Sequence, residues 1–281
     1  MPGMPPMDFN ALLMTAIQAA LKAGAAILEI YDQNFSVEQK TDNSPLTLAD
    51  KKSHAIISSS LRHSDIPLLS EEGKNIDFSQ RKSWKMFWLV DPLDGTKEFI
   101  KKNGEFTVNI ALIKRNAPVL GVIFVPAQSL LYFGAESLGA RRVIIESRTG
   151  VDEITKRSFD EWMKKAVLIR ISQNMSRPYT IVGSRSHGSA EQEAYVTQKR
   201  KEYHEVELIP AGSSLKFCQV AEGKADEYPR LGTTMEWDTA AGHIIAEQAG
   251  ARVIAYGTGL PMTYNKEDLK NPWFIVTNGR N

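Results

Sequence analysis

The stretch Trp88 to Ile100, W-L-V-D-P-L-D-G-T-K-E-F-I, constrains the fold more than any other part of the chain. Phe87 to Val90 is a short apolar run that ends on a carboxylate, the pattern of a buried strand delivering Asp91 to its tip. Pro92 has no N–H and a fixed φ, so the strand is expected to stop there. Asp94 follows in the turn, Gly95 permits a tight backbone, and Thr96 and Lys97 open a short helix. Two carboxylates, a hydroxyl and the free N–H groups of a helix start are thereby expected at one spot.

Two like charges about 4 Å apart repel by roughly 4 kcal/mol at an effective dielectric near 20. Keeping both ionised requires a cation between them; otherwise one holds a proton. All-oxygen ligands suit a hard ion such as Mg2+, which keeps several waters and shares its shell with a substrate phosphate. The N–H groups of the helix start would face that phosphate. On local grounds alone, Asp91 and Asp94 read equally well as turn and N-cap residues. Other parts of the chain decide between the two.

The 281 residues are enough for two domains or one large one. A hydrophobic content of 42% and a charged content of 24% describe an ordinary soluble globular protein. Lys plus Arg number 34 against 33 Asp plus Glu, so no bulk field draws in nucleic acid or an anionic membrane, and any anion site must be built locally. Cys218 is the only cysteine, which excludes an internal disulfide and a cysteine metal cluster. In its helical pattern it reads as a small core residue. The opening M-P-G-M-P-P has neither a basic nor an apolar leader region, and no later run reads as apolar for long enough to span a bilayer. A cytoplasmic location is the default expectation, with a peripheral position at the inner membrane left open. Residues 1–7 read as a loose terminus. Nothing in the sequence sets the oligomeric state.

Asp8 is placed to cap a long helix in which Phe9, Leu13, Ala16, Ile17, Ala20, Gly24, Ile27 and Tyr31 share one face. Gln33 to Lys40 reads as a polar strand or loop. The turn signal at Asp42 to Pro45 precedes a helix expected over Thr47 to Leu61, with Asp50 in its first turn, where a carboxylate also suits the helix dipole. Ile66 to Leu69 is a short strand ending in S-E-E-G, a second apolar run terminating in acid. Open α/β architectures bind ligands at the carboxyl ends of strands, so two acid-tipped strands reinforce each other. The residues do not choose between Glu71 and Glu72.

Strands are expected over Phe106 to Lys114, Pro118 to Val125, Leu130 to Gly134 and Ala140 to Glu146, giving a first half of two helices on an antiparallel sheet. The polar stretch Arg148 to Lys165 reads as the crossing between two lobes, residues 8–165 and 166–281. The second half alternates: strand Tyr179 to Gly183, helix Gly188 to Lys201, strand Val206 to Pro210, helix Ser213 to Glu222, helix Asp238 to Ala249, strand Ala251 to Tyr256 and strand Trp273 to Thr277. The junction E-W-D-T-A-A-G places Asp238 at the N-cap of an apolar helix. Such a carboxylate serves as a cap, or turns one oxygen to the cap and the other to a metal.

Together these stretches resemble the lithium-sensitive, Mg2+-dependent phosphatase superfamily that includes inositol monophosphatase and fructose bisphosphatase. The resemblance covers nearly the whole chain from Asp42. It is carried by Leu89-Val-Asp-Pro-Leu-Asp-Gly-Thr96 and Glu236-Trp-Asp-Thr-Ala-Ala-Gly242, with S-E-E upstream. Within the superfamily, Lys97-Glu-Phe-Ile-Lys101, Asn103 to Ile113, Gly183-Ser-Arg-Ser-His187 and Tyr228-Pro-Arg230 look like the 3′(2′),5′-bisphosphate nucleotidases of the bacterial CysQ type. The resemblance implies a layered αβαβα sandwich, α+β in its first half and α/β in its second, with the active site between two lobes. It implies that Glu71, Asp91, the backbone carbonyl of Leu93, Asp94 and Asp238 bind two or three Mg2+ ions. Asp50 and Thr96 match the pair that orients and deprotonates the attacking water. Ser184, His187, Gly212 and Lys216 match positions that hold the nucleotide, and the turn from Leu93 through Gly95 to Thr96 meets the substrate phosphate together with Glu71 and Asp238. From the residues themselves, Lys97, Arg185 and Arg230 are candidates for a second phosphate, and each reads equally as a solvated surface cation.

The expected activity is release of the 3′-phosphate of adenosine 3′,5′-bisphosphate, with the sulfated analogue as a further substrate, in sulfur metabolism. A phosphatase of inositol phosphates or sugar bisphosphates is the nearest alternative, and a non-catalytic nucleotide or metal sensor is the alternative of another class. A P-loop NTPase is excluded by the absence of G-x-x-x-x-G-K-[ST]. A nucleic-acid binder would need a basic stripe.

Overall fold

Helix α1 (Phe9–Tyr31) begins where Asp8 Oδ1 accepts the N–H groups of Asn10 and Ala11 at 2.9 and 3.1 Å, as the N-cap pattern predicts. The computed structural model describes residues 8–33, 45–136, 138–146, 151–171, 176–184 and 189–280, so the expectations for Gln33 to Lys40 and Asp42 to Ser44 fall almost wholly outside the described residues. Helix α2 (Pro45–Leu61) packs along α1, and both lie on one face of the first sheet. By length and composition α1 qualifies as a membrane span, which corrects the expectation that no run does. Its apolar face, including Leu13, Ile17, Ala20 and Ile27, is buried in the protein core.

That sheet has seven strands in sequence order: β1 (Leu68–Ser70), β2 (Met86–Asp94), β3 (Thr107–Lys114), β4 (Ala117–Val125), β5 (Leu130–Ala135), β6 (Gly139–Ile144) and β7 (Val167–Ile169). All neighbours are antiparallel except β1 and β2, which run parallel with Ser70 opposite Val90. The parallel pair places the residues that leave β1 and β2 at the same end of the sheet. Pro92 does not end β2. The strand runs on to Asp94, and the register slips between the pairs Asp91↔Asn109 and Asp94↔Thr107, so Pro92 falls in a bulge, where its missing N–H is tolerated.

The stretch expected as a crossing contains α5 (Val151–Ile154) and α6 (Phe159–Lys165), then β7, which joins the first sheet beyond the expected lobe limit. Ser158 caps α6 by accepting the Glu161 N–H while Glu161 accepts the Ser158 N–H.

The second sheet has the order β11-β12-β10-β8-β9, built from β8 (Tyr179–Gly183), β9 (Val206–Pro210), β10 (Glu227–Arg230), β11 (Arg252–Ala255) and β12 (Phe274–Thr277). Strand β10 is absent from the sequence expectation because Pro229 argues against a strand. Its pairing with β8 is confined to Glu227↔Ile181, which preserves edge character at the proline. Helix α7 (Ala190–Glu202) packs its buried Tyr195 and Val196 against Tyr179 and Ile181 of β8.

Helices α8 (Leu215–Ala221) and α9 (Glu236–Gln248) fill the space between the sheets. One apolar core joins Phe87, Leu89 and Ile123 of the first sheet to Phe217, Ala241 and Ile245 of the helices and to Val253 and Phe274 of the second. The order is α1/α2, sheet, α8/α9, sheet, α7: the layered αβαβα sandwich expected from the resemblance. Gly121 of β4 lets α9 approach, because a Cβ there would stand 2.6 Å from the Ala241 carbonyl oxygen. Cys218 is fully buried in α8.

Candidate active site

The acids that the sequence singles out arrive on four separate elements. Asp91 and Asp94 bracket the β2 bulge, and the Leu93 N–H closes onto Asp91 Oδ1 at 3.0 Å. Ser53 of α2 donates its hydroxyl to the Pro92 carbonyl at 2.7 Å, tying the helix to the bulge. Asp50 is on the same helix. Because α2 begins at Pro45, Asp50 lies beyond the first turn and is buried, so the dipole reading does not apply to it. Glu71 follows β1, its N–H donating to the Val90 carbonyl at 3.1 Å.

Asp238 is not the N-cap. That position belongs to Met235, and Asp238 sits in the first turn of α9 with Oδ2 accepting the Met235 N–H at 2.8 Å. One carboxylate oxygen is thus engaged by the helix start, and Asp238 also lines a cavity.

Electrostatics show that these groups meet. Burial raises Asp91 well above the usual carboxylate range, and Glu71, Asp94, Asp238 and Asp50 each raise it further. Asp238 is pushed up to about 7 by burial, with Asp94 and Glu71 adding to it and the Met235 N–H and Arg230 opposing. Burial also raises Asp94, against Lys216 and the Ser214 N–H. Of the two acids that the sequence does not separate, Glu71 acts on Asp91 and Asp238, whereas Glu72 acts on His54.

Asp94 is held by residues the sequence reading did not single out. Its Oδ2 accepts the Ser214 N–H at 2.7 Å and lies 3.4 Å from Asn109 Nδ2, and Ser213 Oγ donates to its carbonyl at 3.0 Å. Thr107, Asn109 and Ser214 are joined by further hydrogen bonds of 2.7 to 3.2 Å. Thr107 and Asn109 carry a legible signal: they are polar residues at alternate positions of a strand whose other face presents Val108, Ile110 and Leu112, and both are buried.

Next to these acids is a cavity of about 140 Å³, walled by Asp94, Gly95, Lys97, Ser184, Lys216, Arg230 and Asp238 among others. Burial lowers Lys216 to about 8; its Nζ donates to the Ser213 carbonyl at 2.8 Å. Arg230 Nη2 donates to the Thr233 carbonyl at 2.9 Å, and its buried Nε finds no hydrogen-bond partner among the described residues. A second hollow of about 330 Å³ shares Ser184, Tyr228 and Arg230 and continues to Ser189 and Gln192. The two suit an elongated anionic ligand.

Gly212 lies against Glu98 of the cavity wall, with its N–H donated to Glu105 Oε2 at 2.8 Å. Thr96 is exposed at the start of α4 (Thr96–Ile100), which follows Gly95 at φ +99° and packs against α2. The helix is a single short turn. His187 and Arg185 lie outside the described residues.

Among the described residues no three His, Cys, Asp or Glu side chains close onto one point as they stand. The acids are nevertheless near enough to raise one another, and their donor set is all oxygen, anionic and partly buried. Excess negative charge of this kind is what a hard divalent cation offsets, so the residues fit Mg2+.

Residues 8–280 match the model of the inositol monophosphatase family. Curated relatives named 3′(2′),5′-bisphosphate nucleotidase CysQ are similar over 271 residues: 44% identity for Shigella flexneri and 43% for Escherichia coli K12, in each case covering 95% of this chain and 99% of the relative. Among solved structures, CysQ from Bacteroides thetaiotaomicron, described as a bacterial member of the inositol monophosphatase family, superposes with a TM-score of 0.89 at 48% identity, covering 97% of this chain and 99% of that one. An inositol monophosphatase from Anabaena superposes at 0.68 with 26% identity, covering 97% and 92%.

Proposed function

Because the chain belongs to the inositol monophosphatase family, we propose that it is a 3′(2′),5′-bisphosphate nucleotidase that converts adenosine 3′,5′-bisphosphate to AMP and phosphate. The observation that carries this reading is the mutual approach of Glu71, Asp91, Asp94 and Asp238 beside a cavity that also presents Lys97, Lys216 and Arg230. The near full-length similarity to CysQ enzymes supports the choice of substrate.

Glu71, Asp91, the Leu93 carbonyl, Asp94 and Asp238 would hold two or three Mg2+ ions. When bound, Mg2+ supplies positive charge against the phosphate and acidifies water. Asp50 and Thr96, on packed helices, orient the attacking water: as its oxygen bonds to phosphorus it gives a proton to the Thr96 oxygen while Thr96 passes its own to the Asp50 carboxylate, and the departing 3′-oxygen takes up a proton from solvent. Lys97, Lys216 and Arg230 neutralise the second phosphate. Ser184 and His187 hold the nucleoside, and Gly212, whose N–H is engaged by Glu105, serves by shaping the wall. The sulfated analogue fits the same scheme, and a cytoplasmic site in sulfur metabolism completes the proposal.

Phosphate release with Mg2+ is measured for adenosine 3′,5′-bisphosphate, its sulfated analogue, inositol 1-phosphate and fructose 1,6-bisphosphate. The first is expected to be the best of the four. A preference for inositol 1-phosphate overturns the nucleotidase reading, and binding without turnover of any of them points to a sensor.

A further inference from the structure

Backbone ladders fix three of the acids relative to one another: β1 pairs with β2, and the bulge of β2 carries Asp91 and Asp94. Asp238 has no such ladder, since it rides on α9 in the middle layer, and its like-charged neighbours repel it. Something must hold the start of α9 against that repulsion.

Two residues before Asp238, Glu236 is fully buried. Its Oε2 accepts the Asn265 N–H at 2.6 Å, and its Oε1 accepts the Lys266 N–H at 3.0 Å and Lys266 Nζ at 2.5 Å. The same segment is gripped from its other side by Arg81, at the end of α3 (Phe78–Arg81) in the connection from β1 to β2. Arg81, also buried, donates to Asn265 Oδ1 at 2.9 Å, to the Lys266 carbonyl at 2.6 Å and to the Glu267 carbonyl at 2.9 Å, and Asn265 Nδ2 returns a bond to the Arg81 carbonyl at 2.8 Å. Asn265 has φ +68°, a left-handed backbone that asparagine adopts readily. The clamp thus runs from the connection between the strands of Glu71 and Asp91, through residues 265–267, to the first turn of the helix that carries Asp238.

Buried ion pairs seldom stabilise a fold more than apolar packing of the same volume, so stability alone is a weak reason for these charges. We infer that Arg81 and Glu236 are positioning residues, which hold Asp238 in register with Glu71 and Asp91 and so set the affinity of the site for a divalent cation. The inference rests on the metal site proposed above.

The test uses Mn2+ as the probe, titrated calorimetrically into metal-stripped full-length protein, alongside far-UV circular dichroism and thermal midpoints in EDTA. Glu236→Gln keeps an acceptor and the shape while removing the charge. It is expected to weaken Mn2+ binding about tenfold or more with the dichroism unchanged, a loss of about 1.4 kcal/mol. Lys266→Gln, more exposed and gentler, is expected to show a smaller loss in the same direction and decides the matter if Glu236→Gln fails to fold. A folded variant with a lowered midpoint but wild-type Mn2+ affinity would mean a purely structural clamp and overturns the inference. Wild-type protein that takes up no Mn2+ overturns the metal reading beneath it, a different failure from variants that match wild type.

Discussion

Asp91 is the acid that all the other acids of the site act upon, and that makes its substitution the most informative one. Asp91→Asn removes the anionic charge of a proposed Mg2+ ligand while keeping the shape, so turnover measured by phosphate release at saturating Mg2+ is expected to fall by about a thousandfold or more. Near-normal activity would refute the assignment. In EDTA the same change relieves buried like-charge repulsion, and the variant is expected to be more stable than wild type by ~1–3 kcal/mol, read by denaturant titration. Activity and stability therefore move in opposite directions at this position. Asp238 contributes to the pH dependence of stability in the same direction as Asp91 and Asp94, which are also raised. Its folded pKa, about 7, lies above the ordinary carboxylate value, so its stabilising contribution is complete below about pH 4 and is lost as pH rises through 7. The thermal midpoint in EDTA is expected to fall between pH 5 and 8, and Mg2+ is expected to flatten the profile. At this scale the motif D-P-L-D-G-T was legible because its chemistry is contiguous. Glu71 and Glu72 were not separable, because adjacent turn residues differ only in what they face, and His54 beside Glu72 is known only once α2 is folded against β1.

Helix α1, with its long apolar periodicity and Asp8 cap, was read from the sequence nearly to the residue, and so were the five-residue strands β8 and β9. Those missed have local signals that point elsewhere. Strand β7 is only three residues long and follows a charged helix, and β10 contains a proline. Each is a strand because a neighbour pairs with it, which no local pattern expresses. The bulge in β2 has the same origin, since Pro92 reads as a stop until β3 supplies Thr107 as a partner for Asp94. Helix α9 depends on close approach. Adding a methyl at Gly121 would bring a Cβ within 2.5 Å of Ile244 Cγ2 and 2.9 Å of Ala241 Cα. Gly121→Ala is expected to cost about 1–3 kcal/mol in chemical unfolding and, because Asp238 moves with the helix, to raise the Mg2+ concentration needed for half-maximal activity. Unchanged Mg2+ dependence in a destabilised variant would show that the helix shifts without carrying Asp238.

The two sheets share α8 and α9 as a common middle layer, so their apolar faces are buried against the same helices. The alternation of strand and helix made the α/β character of the second half legible, and the layering was expected from the family resemblance, whereas the packing of α9 on the first sheet, far from it in sequence, was not legible. Calorimetry is expected to show one cooperative transition, with saturating Mg2+ at a hundred times its Kd adding about 2.7 kcal/mol over EDTA. Two separated transitions would mean that the halves unfold independently. The lone thiol of the chain lies in that shared layer: Cys218 is fully buried, and burial holds it well above the usual thiol range, un-ionised and unreactive. A sulfhydryl reagent added to the native enzyme thus has nothing to modify until the sandwich parts, and the labelling rate becomes a clock for that opening, slowed by whatever cation ties the acids together.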